Sequence, residues 1–115
     1  MLQGAFMEQT AFQIHPEDNV ATALTALTPG TVRLLGDAPQ ADTQAAEAVP
    51  GGHKLALRNI RQGEPVIKYG VPIGRATADI AAGAWVHLHN MRSNYDERSS
   101  HLDTVTGAPK DTVYE

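Results

Sequence analysis

At 115 residues the chain has the length of one domain, and its 42% hydrophobic residues are enough for one modest core. It contains no cysteine, which excludes disulfides, thiolate nucleophiles and Cys-held zinc or iron–sulfur sites. A net charge of −4 with the two signs interspersed, and only 5% aromatic residues, argue against a nucleic-acid surface. They leave room for a small acid, which one or two well-placed cations can hold.

The first segment, "MLQGAFMEQTAF", has neither the basic start nor the continuous apolar stretch of a signal peptide. No apolar run reaches the roughly 20 residues of a membrane span. Met7 is an alternative start. A cytoplasmic protein without membrane contact is the expectation. "TAFQIHPEDNVATALTALTPG" opens with a short strand, followed at Pro16 by a helix start that Asp18 or Asn19 can cap. Val20, Ala23, Leu24 and Leu27 recur at helical spacing, and Pro29-Gly30 ends the element. "TVRLL" reads as a strand. "GDAPQADTQAAEAVPGG" reads as a long mobile loop rich in Ala, Pro, Gly and acidic residues.

Beyond it, "HKLALRNI", "EPVIKYG", "PIGRATADI" and "AWVHLHN" are short alternating segments separated by glycine-bearing turns. That pattern predicts a compact, mainly β domain. From Met91 onward the chain is polar without a sustained period, a tail or a candidate docking arm that carries Tyr95 and Tyr114. No internal repeat is evident.

Three constellations carry chemistry. In "WVHLHN", His87 and His89 stand at i and i+2, so a strand would project both to one face together with Trp85, with Val86 and Leu88 opposite. Such a pair can begin a metal site, contact a substrate carboxylate, or decorate the wet face of an edge strand. A cupin site is excluded, because Ser93 and Asn94 stand where its ligand Glu should be and Glu97 comes too late. In "PGGHKLAL", Gly51-Gly52 precede His53 and Lys54, a turn, imidazole and ammonium suited to an anion, or simply a loop-to-strand junction. In "GEPVIKYGVPIGRATADI", Lys68 and Tyr69 precede a tight turn at Gly70, with Val66, Ile73 and Ile80 as core; Lys68 alone reads more simply as a solvated strand residue. His15 and His101 stand alone as surface or capping residues.

Together these segments resemble the SAF domain that begins the altronate and galactarate dehydratases and forms the small subunit of two-subunit relatives such as sulfolactate sulfo-lyase. The matching pattern is G-H-K-x-A-L, then G-E-x-V-I-K-Y-G-x-x-I-G-x-A, then G-x-x-V-H-x-H-N, without a gap from Gly51 to Asn90. "AFQIHPEDNVATALTAL" looks like the family's opening. The resemblance divides the chain into an extension (1–10), a SAF domain (11–90) and a polar tail (91–115). It implies a β-clip fold with one short helix.

The resemblance also implies elimination of water from an aldonate or aldarate to give a 2-keto-3-deoxy acid, with a divalent metal, Fe2+ or Mn2+, held mainly by a large subunit. His53, His87 and His89 are then the expected catalytic groups. Lys54, Lys68, Tyr69 and Asn90 are the expected substrate contacts, and His87 and His89 the candidate metal ligands. The long catalytic domain of single-chain dehydratases has no counterpart here, so a large dehydratase subunit is the expected partner, with a homo-oligomer as a further arrangement. A non-catalytic binding module is the alternative, since SAF-type β-clip domains also resemble parts of sialic-acid synthases, antifreeze proteins and pilus or flagellar assembly proteins.

Overall fold

The computed structural model describes residues 8–94. The expected docking arm with Tyr95 and Tyr114, and His101, lie outside the described residues. All named elements are strands: β1 (Thr10–Gln13), β2 (Val20–Ala23), β3 (Gly30–Gly36), β4 (Asp42–Ala45), β5 (Lys54–Ala56), β6 (Pro65–Lys68), β7 (Val71–Ala76), β8 (Trp85–Val86) and β9 (Met91–Ser93). Six of them form one sheet in the order β4-β3-β1-β2-β5-β8, and the other three a second sheet in the order β6-β7-β9. The β1–β3 pair is parallel; the other pairs are antiparallel. This mainly β, curled architecture is that of a β-clip SAF domain.

Two cores lie on opposite sides of β2 and β5. Ala21, Ala23, Leu27, Val32 and Leu55 belong to the first, and Val20, Ala56, Ile60, Val66, Val86 and Met91 to the second. Adjacent residues of β2 and β5 therefore point into different cores, as strand alternation requires. This arrangement overturns the expected helix. Of its helix-spaced residues, Val20 enters the second core, Ala23 and Leu27 the first, and Leu24 is exposed. A strand buried on both faces reads as an apolar run rather than as alternation, and here that run mimicked helical spacing.

The expected mobile loop is also corrected. Asp42–Ala45 form β4 along β3, and Val49 makes an isolated bridge to Leu27. Ala45 and Val49 are buried in the first core, which gives the segment a reason to order. The chain continues in the fold past Asn90, since β9 pairs with β7 and Met91 is buried.

One symmetry was missed in the sequence. Asn59-Ile60-Arg61-Gln62-Gly63 and Asp79-Ile80-Ala81-Ala82-Gly83 face each other as equivalent loops. Ile60 and Ile80 exchange both backbone hydrogen bonds, at 2.8 and 2.7 Å. The Asp79 carboxylate accepts from the Gln62 N–H, and the Asn59 carbonyl oxygen accepts from the Ala82 N–H, each at 2.9 Å. The two loops thus cross-brace each other with matching bonds, although their sequences share only the isoleucine and the glycine. No helix among the described residues is long and apolar enough to cross a membrane.

Candidate functional site

The antiparallel pairing of β5 with β8 sets Lys54 opposite Val86 and Leu55 opposite Trp85, which brings "GGHK" and "WVHLHN" side by side. His53 precedes β5, where its carbonyl accepts from the Ala23 N–H at 2.9 Å and its N–H donates to Pro50 at 3.1 Å. Its ring lies 4.4 Å from that of His87, centroid to centroid. The Trp85 indole N–H donates to His53 Nδ1 at 3.1 Å. The indole is stacked near-parallel to His87 (6.2 Å, 10°) and packs at a tilt on His89 (4.6 Å). Three imidazoles thus gather around a single indole.

The way they gather differs from the expected strand. β8 ends at Val86, and residues 87–90 form a turn in which the His87 carbonyl accepts from the N–H groups of Asn90 and Met91, both at 3.0 Å. Asn90 causes it: its side-chain oxygen accepts from the His87 N–H at 3.0 Å, and its amide donates to the Trp85 carbonyl at 2.9 Å. Short polar side chains that bond nearby backbone favour turns over ladders. Leu88 consequently reaches solvent instead of sharing the buried side with Val86. The two histidines meet at the indole through the turn rather than through period-two alternation.

Burial, followed by the charges of His53, Lys54 and His89, holds the His87 imidazole below its ordinary 6.5. At neutral pH it is therefore an uncharged ring able to accept a proton. Lys54 is only 3% exposed; it stands opposite Val86 in the β5–β8 pair and its charge adds to the lowering at His87. The carboxylate of Glu47, from the segment read as a mobile loop, accepts from the Trp85 backbone N–H at 2.9 Å. Sequence reasoning missed it, because no spacing relates an acidic loop residue to a strand so distant in the chain.

Lys68 and Tyr69 occupy a different place, the turn between β6 and β7. Lys68 pairs with Val71 across a two-residue loop in which Tyr69 (φ 64°) and Gly70 (φ 75°) are both left-handed, the conformation of a type I′ hairpin. Its ammonium sits 5.1 Å from the Tyr69 ring centroid. Asp18, expected as a helix cap, instead accepts from the N–H groups of His15 (3.1 Å), Tyr69 (3.2 Å) and Gly70 (2.8 Å). His15 packs over Gly70 so closely that an added Cβ there would meet its ring at 2.8 Å, and its Nδ1 accepts from the Glu17 N–H at 3.0 Å. None of these hydrogen bonds or ring contacts joins this turn to the imidazole cluster.

For a divalent metal the described residues are an incomplete set. No group of three or more His, Asp or Glu among them converges to hold an ion, and His53 Nδ1 is already occupied by the indole. The imidazole cluster supplies at most part of a ligand shell.

Comparison with known proteins follows the same residues. The family model for the altronate/galactarate dehydratase SAF domain matches residues 9–94. The chain is 48% identical over 88 residues to the altronate dehydratase of Escherichia coli and 36% identical over 85 residues to that of Bacillus subtilis, each match covering 74% of this chain. These matches span 17% and 16% of those enzymes' own length. A third similarity, 46% identity over 50 residues, is to the alpha subunit of (2R)-sulfolactate sulfo-lyase from Chromohalobacter salexigens; it covers 44% of this chain and 53% of that subunit.

Proposed function

The chain belongs to the SAF-domain family of the altronate and galactarate dehydratases, and from that premise we propose that it is the small subunit of a sugar-acid dehydratase, completing an active site on a large subunit. The observation that carries the reading is the convergence of His53, His87 and His89 around Trp85 where β5 and β8 pair. It joins the two signature segments into one imidazole-rich corner.

The reaction is a β-elimination. A base removes the proton on the carbon beside the carboxylate, those electrons form a double bond to the next carbon, and the hydroxyl there departs with a proton as water. The resulting enol becomes the 2-keto-3-deoxy acid. An uncharged His87 is suited to accept a proton, and general acid–base groups contribute about 10²- to 10⁴-fold to such steps. Lys54 offsets the carboxylate charge that grows as the proton leaves. His89 and Asn90 flank the same corner, while Lys68 and Tyr69 on their hairpin would contact a substrate or partner extending beyond it.

A divalent Fe2+ or Mn2+, as Lewis acid, would neutralise the developing enolate. In this reading the large subunit supplies most of its ligands; His89 would contribute, and His87 would do so only if a base on the large subunit took the proton in its place. A second reading, a sulfo-lyase small subunit, is supported by coverage: the match spans 53% of that alpha subunit, against 17% of the Escherichia coli altronate dehydratase. There the group leaving the third carbon would be sulfite instead of hydroxide.

The test is reconstitution with the large subunit and assay against altronate, galactarate and sulfolactate. Turnover of a sugar acid by the pair and none by either chain alone is expected. Activity of the large subunit that is indifferent to this chain, or to His87→Gln and His89→Gln, would reject the proposal.

A further inference from the structure

We infer that Trp85 is a positioning residue that locks His53 as its Nε2–H tautomer, so that His53 meets a ligand as a hydrogen-bond donor with Nε2 closed to metal. An indole nitrogen carries a proton and only donates. With Trp85 Nε1 3.1 Å from His53 Nδ1, Nδ1 presents its lone pair, and the neutral ring carries its hydrogen on Nε2. The ring nitrogen left for a ligand is then a donor, and a metal would have to displace its proton.

Both partners of this bond are held from behind. The Trp85 backbone is gripped on one side by Glu47 (N–H to Oε2, 2.9 Å) and on the other by Asn90 (amide to carbonyl, 2.9 Å). His53 is held by its backbone bonds to Ala23 and Pro50. His87 and His89 pack on the indole and limit its rotation. A residue fixed this way sets the direction of its hydrogen bond in advance, which is how supporting residues orient functional imidazoles. The tautomer rests on this chain's geometry alone. That the donated proton faces a substrate carboxylate or hydroxyl oxygen rests on the dehydratase-type reading.

The experiment is nitrogen-15 NMR of the labelled full chain, above the pH at which imidazoles titrate. An N–H···N bond transmits a scalar coupling between its two nitrogens, so a Trp85 Nε1–His53 Nδ1 coupling is expected, together with a proton on His53 Nε2. A proton on Nδ1, or an indole N–H without coupling that exchanges freely with solvent, overturns the inference. In Trp85→Phe, which keeps an aromatic ring and loses the donor, the Nδ1–H tautomer should gain population; an unchanged tautomer ratio rejects the positioning role. The wild-type spectrum decides the tautomer even if that variant fails to fold. Zn2+ alone, added to the wild-type chain, should leave the His53 Nε2 proton in place, and its loss would refute the closure to metal. A reconstituted pair inactive on sugar acids would reject the proposed function and leave the coupling untouched.

Discussion

Asn90 shows how one side chain decides a site. Read from the sequence, it was the last residue of a histidine-bearing strand and a substrate contact; in the fold it clamps the His87 N–H and the Trp85 carbonyl and turns the chain. Asn90→Ala should cost about 1–3 kcal/mol, the range for leaving partly buried backbone groups unpaired, as measured by denaturant unfolding. It should also broaden or shift the imidazole resonances of His87 and His89. His87 gives a pH signature of its own. Because its folded pKa lies below 6.5, the unfolded chain takes up the proton first as pH falls through that value. Stability therefore declines with acidification below about pH 6.5 until the folded ring also protonates, and His87 contributes no such slope above it. Melting temperatures from pH 7.5 to 5 should fall less steeply in His87→Gln than in the wild type. Burial is the first cause of this shift, followed by the charges of His53, Lys54 and His89.

At the scale of elements, the turn between β6 and β7 depends on a residue from far earlier in the chain. Asp18 accepts both N–H groups of the left-handed pair Tyr69-Gly70 as well as that of His15, and it is buried. Asp18→Ala would strand three donors and should destabilise the domain by roughly 3 kcal/mol in urea unfolding, given about 1.5–3 kcal/mol for a hydrogen bond to a charged group. Tyr69→Asn is expected to hold stability within about 1 kcal/mol in the same measurement, because asparagine tolerates the left-handed region better than an aromatic residue. The sequence made the strands at "VIKYG" and "PIGRA" legible, since alternation and glycine turns mark them. It misread Val20–Ala23, where both faces are buried and alternation is absent, and it concealed the pairing of "NIRQG" with "DIAAG", which share only an isoleucine and a glycine at matching positions. In the site, the motif order revealed which segments matter. The turn, the role of Glu47 and the bond from Trp85 to His53 depend on contacts across strands that spacing does not encode.

For the molecule as a whole, β2 and β5 form a partition with a core on each side. Leu55 fills one core and its neighbour Ala56 the other, as do Ala21 and Val20. Neither side can loosen without disturbing the strands that line its opposite. Leu55→Ala and Ile60→Ala, placed in different cores, should each cost about 2–5 kcal/mol, and each should shift one common unfolding transition. Two separate transitions by circular dichroism, or amide-exchange losses confined to one sheet, would show that the cores act independently.

Trp85 is the single tryptophan of the chain, and the fold has placed it at the centre of the three imidazoles. The protein therefore carries its own optical reporter. Indole emission, excited selectively over tyrosine, arises wholly from the corner where His53, His87 and His89 meet, and a protonated imidazole quenches it. Acidification changes the surroundings of that one fluorophore, and on the proposed function so would arrival of a sugar acid or docking of a large subunit. Each can be followed by intensity and wavelength alone, with no label attached.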